Sequence, residues 1–411
     1  MRSPHVPSSA PAFVAGPPPR HFALRIALLF SAPLIVNGFA MPYFPVWLSS
    51  LSLSDFEIGI VLAVPMFVRV ITAPLAGVLA DRIGERSIVL IWSGVLSFAA
   101  AIILFHAQRF WPVLVIYTLQ SAVYSPYMPI VEAIALSGVR RWGFDYAQMR
   151  VWGSVAFIGA TMLGGWLIGI VGGQMVLPAM AAGFALAILL AVAAPRVGRP
   201  RRPSPITAIT EPPPQSLRQT DLQLLLVGVT LINSSHAMLF AFSAIYWQHI
   251  GYSGTQIGVL WSAGVAAEVL MFFFAKAIVR RFSVWTMIFS GCLLAVIRWL
   301  IFPMDLGFSG YFVLQCFHAF TYAIMHTGMQ HKLVERVAEE QEASAQGLYF
   351  FYTGVFTAIF TFLSGYFYAW FGVDGFYSMS VVALSGCLFT FLGWFLQPQR
   401  LASAGKTSEA S

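Results

Sequence analysis

Apolar residues occur along this chain in continuous blocks of roughly 20 or more, separated by short polar breaks, without the period-two alternation of barrel strands. At 1.5 Å rise per residue, ~20 residues in a helix cross a bilayer core. Twelve such blocks can be read, at 22–48, 55–79, 87–106, 110–136, 148–171, 174–194, 221–248, 254–279, 285–304, 309–332, 344–371 and 374–396. In lipid every backbone amide must be satisfied within the segment, so continuous blocks predict helices. The expected fold class is all-α, with twelve transmembrane helices.

Composition agrees. The chain is 58% hydrophobic and 9% charged with a mean hydropathy of +0.77, against roughly 25% charged residues in a soluble domain. It reads as an integral membrane protein. The net charge of +7 and pI near 9.4 would suit a nucleic-acid partner, but the bases are placed otherwise. Alternate connections hold Arg82 and Arg86; Arg140 and Arg141; Arg196, Arg199, Arg201, Arg202 and Arg218; Lys276, Arg280 and Arg281; and Lys332 and Arg336. The opposite set holds only Arg109. That is the positive-inside pattern, which predicts cytoplasmic termini in a plasma membrane, the bacterial inner membrane, and accounts for the pI with no nucleic acid. Membrane lipids are expected partners.

The expected domains are a disordered N-terminal tail (1–20), a six-helix bundle (21–195), a Pro- and Arg-rich linker (196–220), a second bundle (221–397) and a C-terminal tail (398–411). A cleaved leader is the rival for the first block, which runs on without a cleavage site. A shift of 199 residues sets Glu57-Ile-Gly59 on Gln256-Ile-Gly258, Asn37 on His236, Trp47 on Tyr246 and Arg69 on Glu268; a shift of 195 sets Leu119-Gln120 and Tyr127 on Leu314-Gln315 and Tyr322. The common order suits two repeated halves around a central site. Cys292, Cys316 and Cys387 lie apart in apolar blocks without ligand spacing and read as packing residues.

Several motifs carry a resemblance. Gly77-Val-Leu-Ala-Asp81-Arg82-Ile-Gly84-Glu85-Arg86 resembles the G-x-x-x-D-R-x-G-R-R signature of the major facilitator superfamily, with Glu85 where a base is usual. Pro42-Tyr-Phe-Pro-Val-Trp-Leu48, Arg150-Val-Trp-Gly-Ser154, Ala267-Glu268-Val269, Ile297-Arg298-Trp299 and the series His318, Tyr322, His326 are similar to the proton symporters around lactose permease and the 3-phenylpropionate permeases. The resemblance implies two pseudo-symmetric six-helix bundles that alternate access to a central site, function as a monomer, and gating by Gly77, Asp81, Arg82, Gly84 and Arg86.

Charges inside apolar blocks are the candidate chemistry. Each costs ~2.5 to 3.5 kcal/mol at the bilayer centre on the insertion scale and is kept for a partner or a wet cavity. Gln120, Tyr124 or Tyr127, and Glu132 are spaced at intervals near three, four or eight that can share part of one face, and Arg150 follows across a short connection. The Glu132–Arg150 pair is either a staple between spans 4 and 5 or, as the resemblance implies, part of the substrate site. Trp152 offers a ring to an aromatic ligand or to lipid. Three roles are open to Arg69: binding an anion, pairing with Glu132, or steadying spans 2 and 8. Asn37 and His236 are cavity-lining candidates. Glu268 and Arg298 are expected to pair or to share a cavity, with His318, Tyr322 and His326 stacked at intervals of four on one face. A nearby guanidinium favours a charged carboxylate and burial a neutral one, so relative movement of Arg298 and Glu268 would switch proton affinity.

No P-loop, H-E-x-x-H or G-x-S-x-G motif occurs, so neither ATP-driven transport nor hydrolysis is expected, and no cofactor or metal. The reading is a secondary transporter importing a small organic anion, an aromatic carboxylate such as a phenylpropionate, together with protons. The alternatives are a proton symporter of a neutral sugar or nucleoside, and a drug or metabolite exporter.

Overall fold

The structure, a computed structural model, describes residues 17–83, 85–197, 215–337 and 341–397, without the side chains at 76–81, 215, 216 and 343. The expected tails therefore lie almost wholly outside the described residues, as do most of the linker and Gly84, and the side chains of Gly77 and Asp81.

All twelve predicted stretches are helical. They form α1 (Phe22–Ser50), α2 (Asp55–Ile83), α3 (Arg86–Leu104), α4 (Phe110–Tyr124), α5 (Tyr127–Trp142), α6 (Tyr146–Val171), α7 (Val176–Val192), α8 (Thr220–Ser234), α9 (Ala237–His249), α10 (Gly254–Arg281), α11 (Val284–Ile301), α12 (Gly307–Cys316), α13 (Met325–Arg336), α14 (Glu342–Phe371) and α15 (Phe376–Phe395). Among the described residues, nine stretches are long and apolar enough to cross a membrane, and one of these, Ser344–Phe395, holds both α14 and α15. The expected spans 4, 7 and 10 are each broken: at Ser125-Pro126, at Ser235-His236, and by a π-helical turn over Ala319–Ile324.

Two bundles result. α1 packs on α6 and α7, with α3 bridging α4 and α7; in the second half α8 packs on α14 and α15, and α11 on α13 and α15. The halves meet mainly where α2 crosses α14 and α6 crosses α10. The sequence repeat explains why these crossings match. Glu57 accepts from the Ser54 backbone amide at 2.9 Å, and Gln256 does the same for Ser253, so both helices open on a capping box. Two residues later each carries a glycine in the interface. A Cβ on Gly59 would lie 2.8 Å from Gly365 Cα, and one on Gly258 would lie 3.0 Å from the Thr161 carbonyl oxygen. Beside the second contact, a Cβ on Gly254 would lie 2.3 Å from the Gly165 carbonyl oxygen. Tyr43 of α1 fills the space alongside, donating to the Thr161 carbonyl at 2.8 Å. All of these residues lie toward the ends opposite the Arg-rich connections, so it is there that the halves approach backbone to backbone.

Candidate functional site

Glu268 lies ten residues, roughly 15 Å, along α10 from Gly258, and Arg150 lies fifteen residues, roughly 22 Å, along α6 from Gly165. The second-half cluster is organised by Arg298 of α11, which is 0% exposed. Its Nη2 donates to Gln315 Oε1 at 2.7 Å, and its Nη1 lies 3.1 Å from Thr321 Oγ1, 3.2 Å from His236 Nε2 and 3.5 Å from His318 Nδ1. The guanidinium also sits 4.8 Å from the Trp299 ring centroid. The break between α8 and α9 positions His236, whose Nδ1 faces the carbonyls of Ile232 and Asn233, each at 3.2 Å.

These contacts fix two tautomers. A guanidinium only donates, so the ring nitrogens facing Arg298 must accept. His236 then carries its proton on Nδ1. His318 carries its proton on Nε2, which lies 3.4 Å from Glu268 Oε2. Glu268 and Arg298 make no ion pair with each other: His318 stands between them. Of the two expected arrangements, direct pairing or a shared surrounding, direct pairing does not occur: Thr321 meets Arg298 from within the π-helical turn and His318 from the residue before it. The Glu268 and His318 side chains remain 22% and 15% exposed, so the line from a buried cation to an accessible carboxylate runs through one imidazole.

Across the π-helical turn the three rings at intervals of four align. His318 and Tyr322 are 2° from parallel with centroids 5.4 Å apart; Tyr322 and His326 are 6° from parallel at 5.7 Å. The charges of Glu268 and Arg150 both act on the Tyr322 phenol. His326 Nδ1 lies 3.2 Å from the Tyr349 hydroxyl, which accepts from Asn233 Nδ2 at 2.8 Å. Its Nε2 lies 3.5 Å from Gln330 Nε2, and Gln330 is bonded to Gln346.

In the first half, Gly143 at φ 73° ends α5 in the left-handed region and turns the chain into α6. Asp145 caps that helix by accepting from the Gln148 amide at 3.1 Å. Arg150 therefore returns toward Glu132, yet the two form no direct ion pair. Arg150 lies 5.3 Å from the Phe30 ring centroid, and its charge reaches both Glu132 and the Tyr146 phenol. Arg69 is exposed, does not pair with Glu132, and acts on Tyr117 of α4. Asn37 is exposed between buried neighbours in the middle of α1, and Trp152 is 55% exposed.

Two expected substrate ligands are placed differently. Gln120 is buried and donates to the Ser97 carbonyl at 3.0 Å, and the buried Tyr127 donates to the Ala187 carbonyl at 2.9 Å. Both join helices inside the first bundle. His236 likewise belongs to the Arg298 cluster rather than to an open wall. Of the gating motif, Arg82 is exposed and Arg86 donates to Ala133 O and Ser137 Oγ, each at 3.2 Å, tying the start of α3 to α5. Sequence reasoning missed Thr321, Gln315, Tyr349, Asn233, Gln330 and Gln346. Only Gln315 had a signal, as the repeat partner of Gln120.

Removing the hub should be costly. Arg298→Met would remove the donor shared by Gln315, His236, His318 and Thr321, and each buried polar group left without a partner costs about 1–3 kcal/mol. The expected result is a marked fall in the thermal unfolding midpoint of the detergent-solubilised protein. An unchanged midpoint would show that these contacts do not hold the second bundle together.

The comparisons agree with this architecture. A family model described as "MFS_1 like family" matches residues 24–379. A protein of Escherichia coli (strain K12) described as a probable 3-phenylpropionic acid transporter is 28% identical over 371 residues, covering 87% of this chain and 94% of that one. A maltose permease of Geobacillus stearothermophilus is 26% identical over 286 residues, 69% of this chain and 71% of the other. Among solved structures, the nucleoside transporter NupG superposes with a TM-score of 0.75 at 14% identity, covering 91% of this chain and 98% of that one. A bacterial homologue of the human lysosomal transporter Spinster, inward-facing and occupied, gives 0.71 at 12% identity, covering 92% and 97%. The chain belongs to the MFS_1-like family of the major facilitator superfamily, and is an integral membrane secondary transporter of small molecules rather than an enzyme.

Proposed function

We propose that the chain is a proton-coupled symporter that imports a small organic anion, an aromatic carboxylate of the phenylpropionate class. Its termini and Arg-rich connections are cytoplasmic, and the central site opens inward while the glycine seams close the outer end. The observation that carries this reading is the line Glu268–His318–Arg298 on one side of the seam, with Tyr322 stacked on His318. One side offers a titratable carboxylate with a fixed imidazole donor. The other offers an always-charged guanidinium with an aromatic neighbour in Phe30, suited to a carboxylate and its ring. The stacked rings of His318, Tyr322 and His326 flank the ligand's apolar part with their edges. Glu132 and Arg69 complete the charge pattern of the first half, with Asn37 and Trp152 at its open faces.

Proteoliposome uptake under an imposed pH gradient, with aromatic acids, aliphatic acids, uncharged sugars and nucleosides as a panel, tests the proposal. Uptake of 3-phenylpropionate with alkalinisation of the outer medium is expected; competition only by the uncharged compounds would overturn the anion reading. Arg150→Gln should raise the KM for phenylpropionate by about tenfold to a hundredfold, the worth of one charge-assisted contact. A single proton per monovalent anion moves no net charge, so an imposed potential should leave uptake unchanged. A second proton would let each 100 mV contribute ~2.3 kcal/mol.

A further inference from the structure

His326 differs from the other two histidines of the site in one respect. Arg298 faces an accepting nitrogen on both His236 and His318, and adding a proton there would set two cations against each other. Each is therefore locked in one neutral tautomer. His326 has no cation in contact. Its Nδ1 meets the Tyr349 hydroxyl, which can donate or accept, and its Nε2 meets the Gln330 side-chain amide, whose two ends exchange when the paired Gln330 and Gln346 amides flip together. Either nitrogen can hold the proton, as a relay requires.

Its position suits that role. His326 lies eight residues after His318, roughly 12 Å toward the Arg-rich end at 1.5 Å per residue, and Tyr322 stands between them. Glu268 of α10 acts on both Tyr322 and His326. From the neighbouring helices, Tyr349 and Gln346 of α14 and Asn233 of α8 close the cluster, with no carboxylate or guanidinium among them.

Resting on the proton-symport reading, we propose that His326 is the relay by which the proton on Glu268 leaves toward the Arg-rich end. The Glu268 O–H bond breaks and the proton passes along the Tyr322 phenol and water to one nitrogen of His326. The other His326 nitrogen releases its proton to water beside Gln330 and Gln346, and the Tyr349 hydroxyl reorients to match the new tautomer. The route follows the column of His318, Tyr322 and His326, whose parallel rings have centroids 5.4 and 5.7 Å apart.

The test is kinetic. In purified, detergent-solubilised protein, a stopped-flow pH jump is followed by the infrared carboxyl band of Glu268, identified by its loss in Glu268→Gln. His326→Gln, which keeps hydrogen bonding but cannot carry a proton, should preserve the amplitude and slow deprotonation by at least about tenfold. Tyr349→Phe should slow it less. In proteoliposomes the ratio of pH-driven 3-phenylpropionate uptake to equilibrium exchange should fall by a similar factor. Deprotonation in His326→Gln at the wild-type rate would overturn the relay. A wild-type protein that shows the carboxyl band but no proton-driven phenylpropionate uptake would overturn the substrate reading instead, because the pH jump requires no substrate.

Discussion

Glu268→Gln is expected to abolish pH-driven accumulation while leaving the carrier able to exchange substrate across the membrane. Glutamine keeps the size of the side chain and can still bond to His318, but it has no proton to bind and release. For a one-proton symporter each pH unit is worth about 1.4 kcal/mol, a tenfold gradient of substrate. Proteoliposomes holding the wild type should therefore concentrate 3-phenylpropionate about tenfold per imposed unit, and the variant about onefold. The site geometry is the reason to expect so complete a loss. Arg298 locks both of its histidines, and Glu268 is the titratable carboxylate that touches this network. Accumulation by the variant that still tracks the imposed pH gradient would remove Glu268 from coupling and direct attention to Glu132.

Gly165→Val should have the largest conformational effect. A Cβ at this position would lie 2.3 Å from the Gly254 carbonyl oxygen. That neighbour is backbone and cannot swing aside, so closing the seam would require α6 and α10 to separate. Overpacking of this kind costs about 1–3 kcal/mol, which shifts a two-state equilibrium by roughly 5- to 150-fold. The population should move toward the state open at the end opposite the Arg-rich connections. Spin labels at Gln108 and Asp305, one exposed residue in each half at that end, should report a longer distance in the variant by double electron–electron resonance. An unchanged distribution would mean that the glycine seam does not set the closed state. Gly365→Val, on the other crossing, should act in the same direction.

The helices were legible because apolar length alone decides what can cross a bilayer, and the repeat was legible because it encodes a capping box followed by a seam glycine. The ionisable part of the site was partly legible too. Glu268, Arg298 and His318 stand out in apolar blocks, and the structure joins them into one line. Their pairing was not. A periodic helix places intervals of four correctly on a face, but the π-helical turn at Ala319–Ile324 leaves no mark in hydrophobic spacing. Gln120 and Tyr127 show a second limit. A polar side chain in an apolar helix satisfies the same sequence pattern whether it faces a cavity or a neighbouring helix's carbonyl, and here both face carbonyls. The Asn233–Tyr349 bond joins residues 116 positions apart, beyond any local signal.

Tyr43 carries an implication for how sequences of this kind can diverge. Its ring and hydroxyl occupy the volume that side chains on Gly164, Gly165 and Gly258 would otherwise claim, with would-be Cβ distances of 2.8, 2.7 and 3.0 Å. Tyr43 and Gly164 thus form one epistatic pair, because the atoms nearest to Gly164 are side-chain atoms of Tyr43 and Phe39, whereas Gly165 and Gly258 are also held by the Gly254 and Thr161 carbonyl oxygens at 2.3 and 3.0 Å. Relatives with a small residue in place of this tyrosine should tolerate alanine or serine at Gly164 while keeping glycine at the other two positions, and chimeras that exchange only one side of the Tyr43–Gly164 pair should lose transport although each parent retains it.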